Sequence, residues 1–165
     1  ATAKAVTAAG VAISGAEVLV KAATGGPYPY NATVTITNSS TTATVSHTGH
    51  GLITNDKVLI KGASHYQNRG VFTITKINND SYSYTMTSAP GSNPTGTITS
   101  TFVVLSGTTD ANGEITMSKV FASDQPVSGW ARKSSSAPYY RPGSISGTVD
   151  SATGGYFTAV LISDQ

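Results

Sequence analysis

Cysteine is absent from all 165 residues, which excludes both a disulfide framework and any thiolate metal site. Charge is scarce: Asp, Glu, Lys and Arg together make up 11% of the chain, against about a quarter in an ordinary globular domain. The formal net charge of +2 gives no pull toward nucleic acid or a membrane surface, and neither is expected as a partner. No apolar run approaches the roughly 20 residues needed to span a bilayer. The opening Ala1–Lys4 lacks the basic start and apolar stretch of a signal peptide. No segment sustains a 3.6-residue hydrophobic period, so no long helix is expected.

Gly, Ser and Thr fill the space that charge leaves, as in proteins built of strands and turns. The central stretch, Ala43 to Thr99, is the clearest case. Ala43, Val45 and His47 alternate with Thr44 and Ser46. Val58 and Ile60 flank Leu59, Phe72 and Ile74 flank Thr73, and Tyr82, Tyr84 and Met86 are separated by Ser83 and Thr85. Period-two alternation puts one set of side chains on a buried face and the other in water. Between these runs lie Thr48–Gly51, Asn55-Asp56, Asn78–Asp80 and Pro90-Gly91, residues suited to turns because Gly, Asn and Asp tolerate positive φ.

The flanking segments are also strand-like. Residues 1–9 are small and weakly patterned, which predicts a flexible arm or edge strand. Ala16, Val18 and Val20 share one face of the next strand, and Ala22–Tyr30 is a Gly/Pro loop that cannot continue a ladder. Thr33–Thr37 alternates. Beyond Thr99, the unbroken apolar Phe102–Leu105 predicts a strand buried on both faces. Gly107–Glu114 is a tight turn, Trp130–Lys133 another strand, and Ser134–Gly143 a long loop with two prolines and paired tyrosines. Tyr156–Ile162 closes the chain as a strongly apolar strand.

Two local patterns carry resemblances. Ile13–Val20 followed by Gly107–Ile115 resembles the opening strand and "Thr-Asp-x-x-Gly" hairpin of transthyretin-like or carboxypeptidase-regulatory-like β-sandwiches. Here the two pieces are separated by the central unit, as an insertion would separate them. The central pattern runs through Ala43–Leu52, Asp56–Val58, Ile60–Ala63, Tyr66, Asn68, Gly70–Ile74 and Tyr82–Thr85. It is similar to the "His-Gly-Leu, Gly-Asp-x-Val, Tyr-Asn-Gly-x-Phe" β-modules of tailed-bacteriophage virion proteins. Asn55 stands where that pattern has Gly, and Gln67 and Arg69 alter its turn. The last third, from Asp124–Val127 through Arg132–Ser135 and Pro138–Gly143, also resembles the ends of such proteins. The expected fold is all-β: a transthyretin/Ig-like β-sandwich from residues 1–37 plus 100–165, with a small β-barrel module, 38–99, inserted in it.

Site chemistry is sparse. His47, His50 and His65 are the only histidines, and His47-x-x-His50 is a spacing that some metal sites use. The competing reading is structural: His50 sits between two glycines, where an imidazole bonds turn backbone. Only Asp56 is near enough in sequence to complete a ligand set, and no metal or other cofactor is expected. Asp110–Glu114 lacks the ligands of an EF-hand loop and reads as a hairpin turn. No Gly-x-Ser-x-Gly elbow, phosphate loop or converging acid pair occurs, so no enzyme is expected.

Arg132, Lys133 and Arg141 lie close in sequence to Trp130, Tyr139 and Tyr140. Stacking and charge could serve a glycan or nucleic acid. The same residue types are enriched at protein–protein contacts, and that reading is preferred, with Tyr28 and Tyr30 as further interface candidates. The resemblance then implies a virion structural protein, made in the host cytoplasm and carried on the extracellular particle. Capsid decoration or cementing is the first expectation, with copies of itself and neighbouring capsid or tail proteins as partners. The alternatives are a tail or neck component, or an adhesion module that binds host-surface glycan. Tyr66 is the exposed candidate for a stacking ring in that last case, because Tyr82 and Tyr84 share the buried parity of Met86.

Overall fold

The computed structural model describes residues 1–164 and is nearly all strand. In chain order the strands are β1 (Thr2–Thr7), β2 (Glu17–Ala22), β3 (Ala32–Ser39), β4 (Thr42–Ser46), β5 (Lys57–Lys61), β6 (Gly70–Thr73) and β7 (Thr75–Asn78). They continue with β8 (Ser81–Thr85), β9 (Ile98–Thr108), β10 (Glu114–Thr116), β11 (Gln125–Lys133), β12 (Tyr140–Val149) and β13 (Tyr156–Leu161). One 3₁₀ turn, Tyr66–Asn68, lies between β5 and β6. The chain divides into two compact units, residues 1–27 with the segment from 104 onward, and residues 28–103.

The first unit is a two-sheet sandwich. One sheet has the order β10–β1–β13, and the other runs β12–β11–β2, with β9 the next neighbour. The expectation of a flexible arm at residues 1–9 is corrected here. β1 is the middle strand of its sheet, parallel to β13 from Thr2↔Tyr156 to Thr7↔Leu161 and antiparallel to β10. Ala3 and Ala5 are fully buried. Their partners across the parallel ladder, Phe157 and Ala159, are buried as well, so a weak hydrophobic signal here marks an interior position. Gly129 meets β2 at close range, and a Cβ there would collide with the Leu19 carbonyl.

In the second unit, β3 joins the central strands instead of the frame. It pairs with β4 over Thr35–Ser39 and with β9 over Ala32–Val34. The units accordingly divide at 27/28 and 103/104, not at 37/38 and 99/100. The strands follow one another as β6–β5–β9–β3–β4–β8–β7. Among the described residues this series does not close into a barrel. β6 pairs only with β5 and β7 only with β8. Ile74, the residue between them, turns into the core (1% exposed) and exchanges backbone bonds with Asn55 and Asp56 instead of extending a ladder. The alternation read from sequence decides the interior: Ala43, Val45, Val58, Ile60, Tyr82, Tyr84 and Met86 are all buried.

Candidate interaction surface

The interface residues expected from sequence fall in both units, with Trp130, Arg132, Tyr139, Tyr140 and Arg141 in the first and Tyr28 and Tyr30 in the second. Trp130 and Arg132 lie on the outward parity of β11, where the pairs Trp130↔Leu19, Arg132↔Glu17 and Trp130↔Ser144 set their neighbours. The Arg132 guanidinium sits 4.6 Å from the Trp130 ring centroid and its Nε is 3.4 Å from the Glu17 carboxylate. Arg132 thus meets both an aromatic face and a carboxylate.

Tyr139, Tyr140 and Arg141 sit at the turn end of the β11–β12 hairpin, where Lys133↔Tyr140 is the last pair. The loop expected over 134–143 is shorter than its prolines suggested, because β12 already begins at Tyr140 and continues through Pro142. Pro142 fits there because the β11–β12 register shifts between Ala131↔Gly143 and Lys133↔Tyr140, so it lies in an irregularity where no ladder pair is made. Arg141 N–H donates to the Ile162 carbonyl, Asp164 N–H to the Tyr139 carbonyl, and the Arg141 Nε–H to Asp164 Oδ1 at 3.0 Å. At about 3.3 Å per strand residue, Tyr140 lies roughly 13 Å from Ser144, the partner of Trp130. Arg132, one residue before Lys133, is thus close to Tyr140 along the ladder, while Trp130 lies further down it.

Tyr28 and Tyr30 belong to the other unit. Tyr28 stacks on Phe102, with ring centroids 4.3 Å apart, so its first role is packing. Tyr30 is exposed.

A feature not anticipated from sequence adjoins Tyr140. Thr7, Ala8, Ala9, Tyr140, Leu161, Ile162 and Ser163 line an open groove of about 440 Å³. It continues the outward face of β13, where Tyr156 (58%), Val160 (52%) and Ile162 (67%) are exposed while Phe157, Ala159 and Leu161 point into the sandwich. The signal was present: Tyr156–Ile162 is apolar at both parities, and an edge strand with one open face leaves half of those side chains in water. The polar end of this face is ordered, with the Tyr156 hydroxyl donating to Glu114 at 3.0 Å and Lys4 3.5 Å from the same carboxylate.

The histidines have structural partners. Leu52 N–H donates to His50 Nδ1 at 3.0 Å, which leaves Nε2 to donate to the Asn78 carbonyl at 2.9 Å and fixes the tautomer. His47 Nδ1 lies 3.3 Å from the Tyr82 hydroxyl, itself 2.7 Å from Ser100 Oγ. Burial, with a smaller push from neighbouring His50, lowers the His47 pKa to about 4. Burial also raises the Tyr82 phenol to about 12, against the opposing pull of its bond to Ser100. His65 is on a different loop, with Nε2 2.9 Å from Ser92 Oγ. Among the described residues no three His, Asp or Glu side chains gather to hold a metal. Asp110 caps its turn, accepting from Asn112 and Glu114 N–H.

No family model and no curated protein matches the chain. Among solved structures it is similar to a phage phi92 endosialidase at 21% identity and a TM-score of 0.39, over 83% of this chain and 24% of that one. The chain therefore spans about a quarter of that protein's length, and at this score the likeness assigns no role.

Proposed function

We propose that the chain is a structural module of a tailed-bacteriophage particle that works through subunit contacts, in the first instance by decorating or cementing a capsid. The observation that carries this reading is the open outer face of β13, where Tyr156, Val160 and Ile162 are each more than half exposed beside the Tyr140 groove. Apolar side chains aligned on an edge strand gain free energy when another surface covers them, at about 25 cal/mol per Å² removed from water. Repetition over a symmetric shell multiplies such contacts into a stable coat. The sequence resemblance to virion modules supports the same assignment and extends to a tail or neck position. Partners are further copies of this chain and adjoining virion proteins.

Size-exclusion chromatography with light scattering tests it, first on the chain alone and then with virion shells added. Saturable coating that is lost in Val160→Lys/Ile162→Lys, and weakened in Tyr139→Ala/Tyr140→Ala, supports the assignment. A chain that stays monomeric and ignores shells, necks and tails alike overturns it.

A further inference from the structure

The second unit carries the whole formal charge of the protein. It holds Lys57, Lys61, Arg69 and Lys76 against Asp56 and Asp80, whereas cations and acids balance in the rest of the chain. The pairing differs too. In the first unit Lys4, Arg132 and Arg141 each meet a carboxylate, while Lys61 and Arg69 have no acidic partner among the described residues. These two cations are exposed and face each other by position, one step beyond the last β5–β6 pair, Ile60↔Gly70. The eight-residue connection from Gly62 to Arg69 rises between them and presents Tyr66, 66% exposed, on its single 3₁₀ turn.

This tip is built to hold its shape. Asn68, fully buried at its base, exchanges amide bonds with Asn38 and also donates to the Tyr84 hydroxyl. Asn38 in turn donates to the Ser92 carbonyl and, through its backbone N–H, to Asn93 Oδ1, fastening the adjoining loop. Ser64 exchanges two bonds with Thr95, and His65 meets Ser92. Gly62 adopts φ +82° against the Thr97 carbonyl, where a Cβ has no room. The ring is therefore displayed in water by a scaffold with little freedom left to lose on binding.

We infer that this hairpin tip is a subsite for an acidic saccharide, with Tyr66 as the stacking platform and Lys61 and Arg69 as the counter-charges. A sugar ring offers an apolar C–H face to an aromatic, and a carboxylate or sulfate on it meets the two unpaired cations. The chemistry favours a saccharide over the other polyanions. Single-stranded nucleic acid is tracked by several successive stacking rings, and the tip has one. A protein hot spot sits within a desolvated surround, and here the ring is bordered by Ser64, His65, Gln67 and Arg69. The inference stands apart from the assembly reading, since the residues involved belong to the unit that lacks the β13 face.

The test is a glycan array of carboxylated and sulfated oligosaccharides printed beside their neutral counterparts, probed with the full chain displayed multivalently. Binding at least fivefold stronger to acidic members is expected, falling tenfold or more in Tyr66→Ala, recovering in Tyr66→Phe, and losing its acidic preference in Lys61→Gln/Arg69→Gln. Thermal melts of the variants should match the parent, because all three side chains are exposed. No acidic member exceeding its neutral counterpart overturns the inference. So does acidic binding that survives Tyr66→Ala, which would mark charge attraction without a subsite. Shell binding by Tyr66→Ala is the control: its persistence separates failure here from failure of the assembly reading.

Discussion

Asn68 and Asn38 face each other across 30 residues of chain and exchange side-chain amide bonds of 3.1 and 2.9 Å. The pair joins the start of the β5–β6 connection's return to the end of β3, and the Tyr84 hydroxyl closes the set by donating to the Asn68 carbonyl at 3.1 Å. Every polar atom of the buried Asn68 side chain is therefore used. Asn68→Ala removes the three side-chain bonds, leaving the Tyr84 hydroxyl only its donation to the residue-68 carbonyl and the Asn38 amide without its partner at the base of the tip, which costs about 1–3 kcal/mol. Urea unfolding should show that loss, while Gln67→Ala, one residue away and half-buried, should change stability by about 0.5 kcal/mol or less.

His47 predicts an acid limit for the central unit. Its folded pKa of about 4 lies below the ordinary 6.5, so between those values the unfolded chain binds the proton and the folded chain does not. Stability is then full above about pH 6.5 and is lost as pH falls toward 4, with a slope of up to about 1.4 kcal/mol per pH unit from this group. Urea midpoints measured from pH 7 to 4 for the parent and for His47→Gln should diverge in the expected sense, the variant being flatter. Parallel curves would assign the acid sensitivity to other groups.

How far the sequence spoke depended on the size of the side chains. Tyr82, Tyr84 and Met86 announced their burial through parity alone, because large apolar residues spaced by Ser and Thr leave one arrangement. Ala3 and Ala5 said little, since a methyl group is equally at home in an arm or in a crowded core; only the parallel register with β13 decides between them. Pro138 and Pro142 suggested a loop through Gly143, yet an irregularity in the ladder tolerates proline, and β12 begins at Tyr140. The candidate surface was legible as residue types but not as places. Trp130 and Arg132 are together in sequence and in space, whereas the β13 face depends on which strands leave β13 at an edge, a non-local fact.

Tyr82 supplies the alkaline counterpart. Its phenol, fully buried and raised to about 12, stays protonated when an unfolded tyrosine, ordinarily at 10.0, has already ionised. Stability from this group is complete below about pH 10 and declines as pH rises toward 12. In an ultraviolet titration the Tyr82 hydroxyl should ionise late, with unfolding. Tyr82→Phe should reduce the amplitude of that late step, leaving the buried Tyr84, whose phenol burial also raises. It should also cost about 1–2 kcal/mol at neutral pH, since Ser100 and His47 lose their shared partner.

Gly129 tests the frame in the same way that Asn68 tests the insertion. It lies opposite Val20 on β2 and Ile145 on β12, in the middle of its sheet, with strands on both sides. A methyl group added there meets backbone, the Leu19 carbonyl and the Val20 Cα, and neither can swing aside as a side chain would. Gly129→Ala must therefore spread β11 from β2, an overpacking defect that costs about 1–3 kcal/mol. Amide hydrogen exchange should quicken along β2 and β11 first, because the ladder bonds of that pair lengthen. Gly10→Ala is the comparison: its Cβ meets nothing within 4 Å, so only the backbone strain of φ +80° remains, and exchange in β2 and β11 should stay as in the parent. Equal quickening in both variants would mean that the close β11–β2 approach does not limit the frame.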